Sequence, residues 1–247
     1  MHRMRSYALK AGLTVLFLAT LTLRADAGLI RPAADRAFPD ISADINGVQS
    51  YVYDPATGTG TFQVTNTPYL IAGEKTLASE YPILPNSADG VRRQIVSATL
   101  DANGQLVADS PTNKYELWGT IVTDKQTYSG LLLSGTPTKF GSQDLGSLGI
   151  SGTDLYDFEL KITGGALKEY FGKDAYMRIQ PELLSTFDGS FTKDFSAVKA
   201  TSNTRGYNSP KPFPVPEPTT LIMLLTCGVG LAFRRKLSAP DRSATDD

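Results

Sequence analysis

The feature that most constrains the fold is a strict alternation at Leu155-Tyr156-Asp157-Phe158-Glu159-Leu160-Lys161-Ile162. Successive side chains of a strand point to opposite faces, so Tyr156, Phe158, Leu160 and Ile162 share an apolar face. Asp157, Glu159 and Lys161 share the other. From Gly47 onward short strand-like runs recur between turn residues, which is the pattern of antiparallel sheet. They cover Val48 to Asp54, Thr61 to Thr65, Arg93 to Leu100, Tyr115 to Val122, Thr127 to Ser134, Ala175 to Gln180 and Phe187 to Phe195. Asp101-Ala102-Asn103-Gly104 reads as a hairpin-type turn, because Asn and Gly both tolerate positive φ. A calcium loop would need further oxygen ligands at alternate positions, and they are missing. Pro68 to Pro85 reads as a long connection, and Ala166 to Phe171 as one or two helical turns. The expected fold is all-β: an antiparallel β-sandwich or jelly-roll-like ectodomain of roughly eight to ten strands.

The two ends of the chain follow other rules. Arg3, Arg5 and Lys10 precede an apolar run from Ala11 to Leu23, and Ala25-Asp26-Ala27 stands before Gly28. That is the three-part plan of a secretory signal peptide over residues 1–27, cut after Ala27. Residues 28–46 are expected to form a low-order leader, 47–198 the ectodomain, and 199–214 a flexible stalk rich in Ser, Asn, Gly and Pro. Thr219 to Phe233 carries no charge. At about 1.5 Å per residue it makes a transmembrane helix of roughly 22 Å, short for a lipid span. Pro216 and Pro218 oppose an earlier helix start. Arg234, Arg235 and Lys236 form a basic stop that stays cytoplasmic, with a polar cytoplasmic tail over 237–247.

Pro216-Glu217-Pro218, the short apolar helix and the basic stop, in that order behind a signal peptide, resemble the PEP-CTERM sorting signal of Gram-negative bacteria. The resemblance is confined to the end of the chain. It implies an inner-membrane-anchored precursor whose tail is recognised and removed by an exosortase, a membrane-embedded cysteine transpeptidase. It also implies delivery to the cell surface or extracellular matrix of a bacterium that makes exopolysaccharide. Exosortase and, before processing, the membrane are therefore the expected partners, with exopolysaccharide a candidate third.

Composition narrows the chemistry. The only histidine is His2, in the signal peptide, and the only cysteine is Cys227, in the tail. The ectodomain therefore lacks the groups for His or Cys zinc sites, Ser-His-Asp or Cys-His catalysis, haem ligation and disulfides. No metal or cofactor is expected. Acidic residues outnumber basic ones between 28 and 210, with no block of five like charges, which argues against a nucleic-acid partner.

Two features carry sharper alternatives. Asp157 and Glu159, roughly 7 Å apart along one strand face, have the spacing of a glycosidase carboxylate pair. With Lys161 next in line, a solvated strand face is favoured. Trp118, the only tryptophan, shares a face with Glu116, Thr120 and Val122. Exposed, it is a candidate carbohydrate platform; its size favours the core. The expected function is non-enzymatic: a structural or adhesive surface or matrix protein. A carbohydrate-binding module is the alternative, and a carboxylate-dependent glycan-active enzyme stands third.

Overall fold

The computed structural model describes residues 28–31, 37–73, 80–146, 153–207 and 213. They form ten strands: β1 (Asp40–Asp54), β2 (Thr59–Asn66), β3 (Pro68–Ala72), β4 (Glu80–Pro82), β5 (Arg93–Asp101), β6 (Lys114–Val122), β7 (Thr127–Asp144), β8 (Asp154–Gly164), β9 (Asp174–Leu183) and β10 (Phe195–Gly206). One short helix, α1 (Lys168–Phe171), follows β8. The all-β expectation holds, but the sandwich does not. Every neighbouring pair from β10 through β9, β8, β7, β6, β5 and β2 to β1 is hydrogen-bonded, and β1 pairs back onto β10. The result is a closed eight-stranded antiparallel barrel, which leaves no free edge among those strands.

Closure depends on the long β1, which a bulge divides into two halves. Asp40 to Ala43 pairs with β3 and Val48 to Asp54 with β2, while both halves pair with β10. Between them Asp44 accepts a hydrogen bond from the Asn46 amide. Gly47 is needed at this bend: a Cβ there would overlap the Ala200 carbonyl oxygen and the Asn66 carboxamide. Gly47→Ala is expected to cost about 1–3 kcal/mol, as overpacking does, and an unchanged urea midpoint would refute the steric role.

Eight strands enclose a space that side chains can fill. Phe62, Phe140, Tyr156 and Phe158 meet in the lumen, with Phe62 centroid distances of 5.5, 5.1 and 5.7 Å to the other three. Phe187 and Phe191 close one end against Tyr51 and Phe195. Toward the opposite end, Gln94 donates to Tyr115 and Thr204 while Ser202 donates to Gln94, forming a buried polar network. Burial pushes the Tyr115 phenol up to about 12. Outward positions are mixed: Gln63 and Thr65 are exposed and polar, while Val48, Val52 and Val122 are exposed and apolar. No described helix is long and apolar enough to cross a membrane.

Several expected boundaries move. Asp40 to Asn46, read as leader, begins β1, and the connection from Pro68 to Pro85 contains β3 and β4. Phe187 to Phe191 is an end plug outside any strand. The last strand lies further on, so Lys199 to Gly206 is wall and not stalk. Phe213 is likewise packed, not free. It is 3% exposed, against Tyr81, Tyr128 and Tyr170 at the α1 end.

Candidate functional site

The barrel's outer wall carries one ordered array of charge. Cross-strand register aligns Ser42 with Asn203, Asn203 with Arg178, Arg178 with Asp157, and Asp157 with Gly141. Neighbouring strands lie about 4.8 Å apart, so these residues form a row around the wall. The segment Gly28 to Arg31 lies over that row. Gly141 permits the approach, because a Cβ there would stand 2.5 Å from the Gly28 carbonyl oxygen. At the other end of the segment, the Arg31 amide donates to Asp157 Oδ2 at 3.0 Å, and Arg31 Nη1 donates to Asn203 Oδ1 at 2.5 Å.

Asp157 is the centre of this array. Its carboxylate is fully buried and accepts two bonds from Arg178, Nε to Oδ1 at 2.7 Å and Nη2 to Oδ2 at 2.8 Å. That corrects the solvated face expected for Asp157: the residue does point outward, but Arg31 and Arg178 cover it. Glu159 has separate company, accepting from Lys139 at 2.9 Å and Tyr176 at 3.0 Å. Burial pulls Glu159 upward, yet these donors hold it below its ordinary value. The two carboxylates thus serve different partners and do not converge.

Arg205 completes the array through Asp40, with Nε donating to Oδ2 at 2.7 Å. Arg31, Arg178 and Arg205 all line one open basin of about 460 Å³. Two of these guanidinium groups face a carboxylate. Arg31 makes no ion pair among the described residues, although it is only 8% exposed. Burial pulls its guanidinium below the ordinary value, and the nearby Arg205 and Arg178 charges pull the same way, while Tyr207 opposes them. Arg178 shifts upward, held by its bonds to Asp157.

Trp118 stands elsewhere on the wall. It is half-buried on the outer face of β6, not in the core. Its Nε1 donates to Glu116 Oε2 at 3.2 Å, and the Arg93 guanidinium lies 5.8 Å from the ring centroid. Strand parity decides against the core: Leu117 and Gly119 on either side face inward, so Trp118 faces out. Gly28, at the expected signal cut, is exposed. Ala25, Ala27, Pro216, Glu217, Pro218, Arg234, Arg235 and Lys236 lie outside the described residues. Among the described residues no group of three or more His, Cys, Asp or Glu is placed to hold a metal.

Arg31, Arg178 and Arg205 were not singled out from the sequence. Alternation alone could have turned Arg178 outward, since Met177 and Ile179 flank it. The cross-strand row and the docking of Arg31 have no such local signal.

The described residues thus define a closed antiparallel β-barrel whose lumen is filled by its own side chains. Residues 214–236 match the PEP-CTERM protein-sorting motif, as the end of the sequence had implied. The chain is therefore an exported protein sorted through a membrane-anchored precursor that an exosortase recognises. No curated protein and no solved structure matches it.

Proposed function

We propose that this is a non-enzymatic structural or adhesive protein of the cell surface or extracellular matrix, associated with exopolysaccharide. The observation that carries the proposal is the joining of a sorting motif to a barrel whose lumen is packed with its own side chains. With the lumen taken, recognition falls to the outer wall. Carbohydrate binding by the same wall is the second reading, favoured by the outward, half-buried Trp118 between Glu116 and Arg93.

The test mixes the detergent-solubilised full chain with exopolysaccharide from its own host, following Trp118 fluorescence and co-sedimentation together. Saturable pelleting is the expected result. A simultaneous fluorescence shift would place Trp118 at the contact, whereas pelleting without a shift would move the contact elsewhere on the wall. Absence of both signals would end the exopolysaccharide association.

A further inference from the structure

The basin beneath Arg31 has a composition that ion pairing alone does not explain. Among the described residues three guanidinium groups face two carboxylates, and Arg31 is the one without a described carboxylate partner, in a concave, partly desolvated setting. A buried charge without a counter-ion is costly, and an incoming anion would relieve that cost. The domain as a whole bears more acidic than basic groups, so this local excess runs against the general field. An anionic polymer repelled by the rest of the barrel would find its favourable contact here.

The remaining lining narrows the ligand further. Gln180 and Asn203 supply amide groups suited to hydroxyls, and Tyr69 lines the same basin with 46% of its surface exposed. An aromatic ring offers an apolar face to the C–H face of a sugar while its hydroxyl remains wet. The volume, about 460 Å³, suits one or two sugar rings and falls in the usual range for small-molecule sites. Guanidinium forks match a carboxylate by two parallel N–H···O bonds.

We propose that the basin of Arg31, Arg178 and Arg205 binds the carboxylate of a uronate unit in an acidic glycan, with the sugar ring against Tyr69. This rests on the proposed glycan-associated role and names the chemical class that the wall takes. Asp157 already occupies Nε and Nη2 of Arg178, and Asp40 occupies Nε of Arg205, so these two shape the basin and its field while the uronate carboxylate pairs with Arg31. Arg31 supplies the charge that no described carboxylate matches.

The test is calorimetric titration of the detergent-solubilised full chain with galacturonate trimer, its methyl ester and inorganic sulfate. The acid trimer is expected to bind, the ester at least tenfold more weakly, and binding should weaken as salt rises. Arg31→Gln should weaken trimer binding at least tenfold. Tyr69→Ala, at an exposed position, should weaken it several-fold without moving the melting temperature, which separates ligand contact from folding. Equal binding of acid and ester, or wild-type affinity in Arg31→Gln, would overturn the site. Sulfate that displaces the trimer at equal concentration would reduce it to a simple oxyanion pocket and overturn the sugar assignment. If the trimer fails while host exopolysaccharide still pellets the chain, the basin falls alone; if both fail, the surface role falls with it.

Discussion

Asp157→Ala is expected to be among the most damaging single substitutions on the outer wall, lowering stability by about 3–5 kcal/mol. The carboxylate is fully buried and holds both forks of Arg178 together with the Arg31 backbone amide. Its removal leaves the Arg178 charge facing Arg31 and Arg205 with no anion at the centre of the row. Asp157→Asn keeps the shape but turns an amide donor or a neutral oxygen toward the guanidinium, so it should recover only part of the loss. Glu159→Ala is the proper control. It sits two residues away on the same face, but its Lys139 partner is 62% exposed, and solvent screens such a pair so that it contributes little. Urea unfolding of the three variants decides the matter. An Asp157→Ala loss no larger than that of Glu159→Ala would show that the row is surface decoration.

That contrast marks what strand periodicity can and cannot express. Alternation placed Tyr156, Phe158, Leu160 and Ile162 inward and Asp157 and Glu159 outward, and the barrel agrees, with all four apolar residues buried. It could not tell that one outward carboxylate would be fully covered and the other left partly exposed. The cover comes from Arg31, 126 positions away, and from a register between separate strands. The same limit explains the sandwich. Strand number and antiparallel order were legible, but closure is one long-range pairing, β1 on β10, with no mark in either strand alone. Trp118 shows the reverse case: its parity with Glu116 and Thr120 was legible and correct, whereas residue size pointed wrongly to the core. At the tail, Pro216 to Lys236 was legible because a sorting signal is read as a linear motif by another protein.

Phe213→Ala is expected to cost about 3 kcal/mol, or roughly 6–12 °C in melting temperature for a barrel of this size. Composition made residues 199–214 look like a stalk, since Ser, Asn, Gly and Pro seldom build a core. Two facts reverse this. Lys199 to Gly206 alternates in burial as the closing strand, and Phe213 fills a seat of Tyr81, Tyr128 and Tyr170 with centroid distances of 5.8, 6.3 and 5.1 Å. The seat is built in depth: Tyr128 and Tyr170 share a hydroxyl hydrogen bond of 2.5 Å, and burial raises the Tyr128 phenol. Gly73 lies beside Phe213, and a Cβ there would come within 3.0 Å of its ring. Because the matched sorting segment begins at residue 214, the barrel grips the chain at the position just before it. A flexible stalk would predict no stability change for Phe213→Ala and a neutral effect of Gly73→Ala. A shared seat predicts that both lower the melting temperature, and that the double variant loses less than the sum, since each disrupts the same packing. Thermal unfolding of the full chain in detergent, wild type against the two single variants and the double, separates them. Additive losses would mean that Phe213 and Gly73 act independently and that the seat does not hold the chain as one unit.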